Sequence, residues 1–390
     1  MRKMIKMFSC LASLALAAAV SPVLAQTAAA TPAAAATPAA PTVTVNGLVD
    51  AYYTYDFTRQ NSLVHMNPIP GYYYNATDAS YTLGLAEAKL TATQGPASAH
   101  LVLAYGQGAD MAALGGGTGV AVEQAYVSYN SGMWTFNAGK FVTWLGYEVV
   151  ESSSNWNYSH SLLFSTLPVW HTGFSVNYAA SSTFGLTGYV VDGINSTAAN
   201  PTIGDNFGLQ AAITPNSMWT ITLNGMAGPA NQPGTIPAGI DGSLAWTGEG
   251  IVVYKPDSMW SFALDAEYGS TSGPSGSTPS SVNYWGVALY GRDQIASDFA
   301  IALRLEDLND SDSTVLGYGA FVPAAPVASA GKEATLTLEH NFSANLLGRL
   351  EGRMDMASYN GADAKVYNTG DPTNPSSSQF TLTAAAMMTF

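Results

Sequence analysis

Cysteine is nearly absent from this 390-residue chain: Cys10 is the only one. It lies within an N-terminal stretch that reads as a leader, so the mature protein has no disulfide, no thiolate nucleophile and no cysteine metal site. Charge is scarce as well. Charged residues make up 10% of the chain, against about 25% in ordinary soluble domains, which leaves too thin a polar coat for a large water-exposed surface. Basic residues are the scarcer sign. Without the three in the leader, 10 Lys and Arg face 27 Asp and Glu, a net charge of −17, which argues against nucleic acid as a partner. Long apolar runs are also missing. Beyond residue 25 no stretch approaches the roughly 18 residues a membrane-crossing helix needs. The five histidines, His65, His100, His160, His171 and His340, are scattered, with no H-E-x-x-H or comparable metal spacing. No segment concentrates Ser, His and a polar orienting residue, so neither an enzyme nor a cofactor is expected.

What is present is alternation. At the C-terminus, Phe380, Leu382, Ala384, Ala386, Met388 and Phe390 fall on one face of a strand, and Thr381, Thr383, Ala385 and Thr389 on the other. The chain ends on an aromatic residue, which resembles the closing strand of bacterial outer-membrane barrels. Val43 to Phe57 shows the same period, and fourteen further strands are expected near 80–92, 98–106, 121–130, 133–142, 169–180, 183–192, 205–214, 218–227, 244–255, 259–268, 282–292, 298–308, 333–341 and 345–357. Tyr81 to Ala92 changes phase around Leu85-Ala86, which reads either as a bulge or as a strand placed wrongly. Connections from even to odd strands are short. Three repeat one pattern, Asn130-Ser131-Gly132-Met133-Trp134, Pro215-Asn216-Ser217-Met218-Trp219 and Pro256-Asp257-Ser258-Met259-Trp260, in which turn formers precede a Trp suited to the membrane interface. Connections from odd to even strands are long: 58–79, 107–120, 143–168, 193–204, 228–243, 269–281, 309–332 and 358–378. Segregation of loop length by parity is what periplasmic turns and extracellular loops impose.

The fold class expected is therefore all-β: a transmembrane antiparallel up-and-down barrel of about 16 strands over residues 43–390, with strand one paired to the last. Ahead of it, Arg2, Lys3 and Lys6, the apolar run Cys10 to Val20 and Val23-Leu24-Ala25 read as a cleaved signal peptide over 1–25. Residues 26–42 read as a disordered Ala/Thr/Pro-rich linker. The location expected is the outer membrane of a Gram-negative bacterium.

Inside such a barrel, Arg349, Glu351, Arg353 and Asp355 share one face of a strand, and Arg304 and Glu306 share a face of another. That face must be the lumen, since an Arg at the bilayer midplane costs about 2–4 kcal/mol. Two readings stand side by side: a self-neutralising salt-bridge ladder, or the positive wall of a constriction. The third long loop, 143–168, carries Trp144, Tyr147, Val149, Val150, Trp156, Leu162, Leu163 and Phe164, too many apolar groups for open water. Folded inward, it would lie across the ring from Arg304, Arg349 and Arg353, with Glu148 and Glu151 facing them across a narrowed pore. Asn155, Asn157, Tyr158 and His160 complete the candidate constriction loop. Acids in other loops, Asp307, Asp310 and Asp312 among them, could bind Ca²⁺ or bridge lipopolysaccharide, though such groups are more often simply solvated.

The run Gly139-Lys140-Phe141, Gly146-Tyr147-Glu148, Asn155-Trp156-Asn157-Tyr158-Ser159, Ser161-Leu162-Leu163-Phe164 and His171-Thr172-Gly173 resembles the OmpL-like β-barrel porin family. So do Gly47-Leu48-Val49-Asp50-Ala51-Tyr52-Tyr53, Arg304-Leu305-Glu306 and Arg349-Leu350-Glu351-Gly352-Arg353. The similarity spans about Val43 to Phe390. It implies an outer-membrane pore for passive diffusion of small hydrophilic solutes or ions, in contact with lipid and lipopolysaccharide. Excess acid suggests a mild cation preference. Sixteen-stranded porins are commonly trimers, and a homotrimer is carried as an open expectation. The alternative, from a different class, is a closed barrel with a structural or surface-binding role.

Overall fold

The computed structural model describes residues 40–59, 72, 74–112, 119–193, 205–229, 244–272, 281–310, 329–359, 361–367, 369 and 374–390. The leader 1–25, the linker up to residue 39, His65 and Asp312 lie outside the described residues.

Sixteen antiparallel strands close on themselves: β1 (Thr42–Asp56), β2 (Ser80–Gln94), β3 (Ala97–Tyr105), β4 (Ala121–Ser131), β5 (Trp134–Val142), β6 (Trp170–Ala179), β7 (Phe184–Val191), β8 (Asn206–Asn216), β9 (Trp219–Pro229), β10 (Leu244–Tyr254), β11 (Trp260–Ser272), β12 (Ser281–Ala296), β13 (Phe299–Asp310), β14 (Ala330–Asn341), β15 (Leu346–Tyr359) and β16 (Ser378–Thr389). Each pairs with its sequence neighbours, and β1 pairs with β16 to remove the last free edge. A two-residue strand, Ala362–Asp363, adds to one end of β15.

The barrel inverts the burial rule of water-soluble proteins. On β13, Leu303 and Leu305 are exposed while Arg304 and Glu306 are buried, and β16 exposes Phe380, Leu382 and Met388 while burying Thr381 and Thr383. A lipid-facing exterior accounts for this, because an alternating strand then places its charges inside. The repeated turns place Trp134, Trp219 and Trp260 outward at one rim, and Trp134 and Trp219 lie against Tyr178 and Tyr254 with ring centroids 4.5 and 4.2 Å apart. The terminal aromatic has its own seat. Phe390 exchanges backbone hydrogen bonds with Gly47, and a β-carbon at Gly47 would overlap the Phe390 ring.

Two features of the alternation are sharpened. The phase change in β2 is a bulge: Asp50 pairs with Leu85 and Ala51 with Leu83, leaving Gly84 as the extra residue. On β16, Met387 also turns inward and is buried in an apolar cluster with Leu48 and Tyr52. The inner face of the closing strand is therefore uncharged, as expected, but not uniformly small.

Candidate functional site

Residues 143–169, between β5 and β6, run against inward-facing side chains of most of the ring. The entry is fixed by aromatic packing. Trp144 stacks on Tyr189 of β7 with centroids 3.9 Å apart and fits over Gly208 of β8, where any β-carbon would collide with the indole. Farther along, Leu163 sits over Gly286 of β12 in the same way. His171, at the start of β6, is buried and bonds Thr143 Oγ1 (3.1 Å) and the Gly193 carbonyl (2.9 Å), so it holds the root of the loop.

The charged strands of the far wall meet the loop through its backbone. Glu351 accepts the N–H groups of Tyr158 (2.6 Å) and Ser159 (2.9 Å), and Glu306 those of Leu162 (2.7 Å) and Leu163 (2.5 Å). On β10, Glu249 accepts the Gly146 N–H with both oxygens, at 2.8 and 3.0 Å. The arginines take the complementary groups. Arg349 donates to the carbonyls of Ser152 (2.6 Å), Asn155 (2.5 Å) and Asn157 (3.1 Å). Arg353 donates to that of His160 (2.7 Å) and Arg304 to that of Ser159 (2.5 Å). An irregular loop exposes backbone donors and acceptors that no ladder satisfies, and leaving such groups buried and unpaired costs about 1–3 kcal/mol each. The wall charges supply the missing partners.

These charges are also paired with one another. Arg304 lies 2.7 Å from both Glu148 of the loop and Glu333 of β14, Arg349 lies 2.7 Å from Glu339, and Arg353 lies 2.7 Å from Asp355. Burial works against the charged form of Glu148, but Arg304 and the Ser161 N–H overcome it and hold the carboxyl below its ordinary range. Burial lowers His160 and favours the neutral ring, which forms a three-ring cluster with Tyr74 (4.8 Å) and Phe164 (4.3 Å).

The residues singled out from sequence thus meet in one assembly, with one exception and one change of role. Asn155 clasps the backbone of Val149 from both ends of its amide, Asn157 donates to Thr337 of β14 (2.8 Å), and Tyr158 donates to Asp50 of β1 (2.9 Å). Glu151 is the exception: it pairs with Lys89 of β2, away from the arginines. The change of role concerns the arginines. Arg304, Arg349 and Arg353 are 0–5% exposed, and Glu148 touches Arg304 directly, so the acids do not face a bare arginine wall across a gap. A guanidinium that can reach a backbone carbonyl and a carboxylate at once gains more there than facing water alone.

Sequence reading missed Glu249, Asp265 and Glu267 of β10 and β11, which accept hydrogen bonds from the loop, and Glu333 and Glu339 of β14, which hold the arginines that bond it. Asp265 and Glu267 alternate visibly with Leu264 and Ala266, a signal present but not followed. It also missed the opposite wall, where uncharged side chains bond one another from strand to strand: Thr91 with His100 (3.2 Å), Ser128 with Asn137 (2.5 Å), Asn137 with Ser175 (3.0 Å), Asn177 with Thr187 (2.8 Å) and Gln210 with Asn224 (3.0 Å). Among the described residues, no helix is long and apolar enough to cross a membrane; here the crossing is by strands.

Comparison with known proteins agrees with this architecture. A sequence family described as "Putative beta-barrel porin-2, OmpL-like" matches residues 42–390. No curated protein matches the chain. Among solved structures, the outer membrane channel DcaP of Acinetobacter baumannii aligns over 91% of this chain and 99% of its own, with a TM-score of 0.59 at 13% identity. An anion-selective porin from Comamonas acidovorans aligns over 90% and 100%, with a TM-score of 0.59 at 11% identity. OmpT of Vibrio cholerae, in its trimer form, aligns over 90% and 100%, with a TM-score of 0.56 at 11% identity. At such identities the likeness shows the fold alone.

Proposed function

The chain belongs to the OmpL-like β-barrel porin-2 family of outer-membrane porins, and from that membership we propose that it forms an aqueous channel for passive diffusion of small hydrophilic solutes or ions. The exported precursor loses Met1–Ala25, and the Ala/Thr/Pro segment acts as a linker ahead of the barrel. Loop 143–168 narrows the lumen, and Arg304, Glu306, Arg349, Glu351, Arg353 and Asp355 act as its anchor. Solute then passes along the side of the ring opposite the ladder, where Thr91, His100, Ser128, Asn137, Asn177 and Gln210 remain partly open, with Glu87, Lys89 and Glu123 as the charged group on β2 and β4 at its edge. The observation that carries this reading is the division of the interior: on β13 to β15 the arginines and acids are spent on the loop, while from β5 to β9 hydroxyls and amides retain access to water. With the arginines engaged and acid in excess, the channel prefers cations weakly. Assembly as a homotrimer, in contact with lipid and lipopolysaccharide, fits the sixteen-strand architecture.

A second reading is favoured by one specific observation. The ladder is buried and Leu162, Leu163, Tyr290, Leu308 and Tyr367 form an apolar cluster beside it, as a closed barrel with a structural or surface-binding role would require. Single-channel recording in planar bilayers under a salt gradient separates the two. The channel reading predicts discrete conductance with a small cationic reversal potential. Silence from correctly folded protein overturns the channel, and an anionic reversal potential overturns the cation preference alone.

A further inference from the structure

Away from the arginine ladder, three carboxylates converge on the inner wall. Glu87 of β2, Glu123 of β4 and Glu151 of the loop each present an oxygen, and these oxygens lie within 4.8 Å of one another. Glu123 is there because β4 is bulged: Val102 pairs with Gln124 and Leu103 with Val122, so Glu123 is the extra residue and turns inward out of the alternation. Glu87 and Glu123 are 96% and 97% buried, at 4% and 3% exposure. Among the described residues Lys89 is the cation in direct contact with the group, 3.1 Å from a Glu87 oxygen and paired with Glu151, while Lys140 acts on Glu123 from farther away. No hydrogen-bond donor among the described residues meets either oxygen of Glu123.

Burying ionised carboxylates without partners is strongly unfavourable. On the arginine ladder it is avoided by arginines and backbone N–H groups, and here neither is supplied. Lys89 is the ammonium in direct contact with the three carboxylates, and both Glu123 oxygens lie beside the other two carboxylates without a donor of their own among the described residues. Oxygens coordinating Ca²⁺ lie about 2.3–2.6 Å from the ion and hence within about 5 Å of one another, which is the spacing found. Access is also provided: the side chains of Lys89 and Glu151 are 34% and 19% exposed, so an ion and its remaining waters can enter from the lumen side.

We propose that Glu87, Glu123 and Glu151 form a divalent-cation site for a hard ion of the Ca²⁺ or Mg²⁺ class, which ties the loop to β2 and β4, across the β1–β16 seam from the arginine ladder. Lys89 is the built-in competitor: it occupies part of the negative field and swings toward the lumen when the ion binds.

The test is calorimetric titration of the folded, detergent-solubilised full chain with CaCl₂, and separately MgCl₂, at constant ionic strength. Saturable binding of one ion per chain is expected for the wild type. Glu123→Gln and, independently, the loop variant Glu151→Gln should weaken it at least about tenfold, as loss of a charged ligand does. Lys89→Met should tighten it several-fold, a result that a merely structural cluster would not give. Absence of saturable binding at millimolar ion overturns the proposal. So does wild-type affinity in Glu123→Gln and Glu151→Gln with their strand signal intact by circular dichroism, since the ion would then be binding elsewhere.

Discussion

The two halves of the barrel interior solve different problems. The wall of β13 to β15 carries Arg304, Glu306, Arg349, Glu351, Arg353 and Asp355, all 0–5% exposed, and each arginine bonds a loop carbonyl. From β5 to β9 the inward polar groups are mostly Thr, Ser, Asn and Gln that bond to one another and keep partial access to water, while β2 and β4 at the edge of that wall carry Glu87, Lys89 and Glu123. Charge on β13 to β15 therefore marks where the loop is held. Inner-face charge in a barrel is readily taken for a selectivity element. Here its first duty is to complete the hydrogen bonding of an irregular loop.

Breaking the anchored half should have the largest effect. Arg304→Ala leaves Glu148 and Glu333 buried against each other, and losing one partner of a buried ion pair typically costs about 3–5 kcal/mol. Urea unfolding in detergent should show a loss of that order, and limited proteolysis should cut within 143–168 where the wild type resists. Equal stability and equal protection would remove the distinction between the two walls.

Acid should release the same half more gently. Undocked, His160 and Glu148 would titrate near their ordinary values of 6.5 and 4.5; docked, both are lower. Each therefore contributes stability that is full above its ordinary value and is lost as pH falls through its docked value. Loop protection, read by proteolysis or hydrogen exchange, should begin to decline below about pH 6.5 and decline further below about pH 4.5. His160→Phe should abolish the upper part and keep the lower. A loop that loosens on raising the pH would contradict both assignments.

The smallest effect is expected on the neutral half. Asn137→Ala removes bonds to Ser128 and Ser175 that are partly open to water, and stability should move by less than about 1 kcal/mol. A loss as large as that of Arg304→Ala would make the halves equivalent.

Much of this was legible in the sequence, for physical reasons. Period-two alternation placed Arg304 and Arg349 inward without any structure, because lipid tolerates them on no other face. The Trp-bearing turns and the parity of loop length located the strand ends within a few residues. The apolar content of 143–168 required a surface, which the sequence alone could assign to the lumen, the outer rim or a neighbouring subunit. What alternation cannot give is what each inward charge touches. Glu148 reaches Arg304 on β13 while Glu151, three residues on, reaches Lys89 on β2, beyond the β1–β16 seam, and that depends on the path of an irregular loop. The inward turn of Glu123 was hidden for a related reason. A bulge shifts the phase by one residue, and its trace in sequence is only the adjacent polar pair Glu123-Gln124.

The central claim is that solute passes the neutral wall while the charged wall is sealed by the loop. Because Cys10 is the only cysteine in the sequence, single-cysteine variants in a Cys10→Ser background, with a charged, water-soluble thiol reagent, test it during planar-bilayer recording. Asn137→Cys lies on the neutral wall, and Thr337→Cys lies under the loop, where Thr337 is 0% exposed and bonded to Asn157 and Glu351. The account predicts that the reagent reduces current through the Asn137→Cys protein and leaves the Thr337→Cys protein unchanged. Block at position 337 with none at 137 would contradict it.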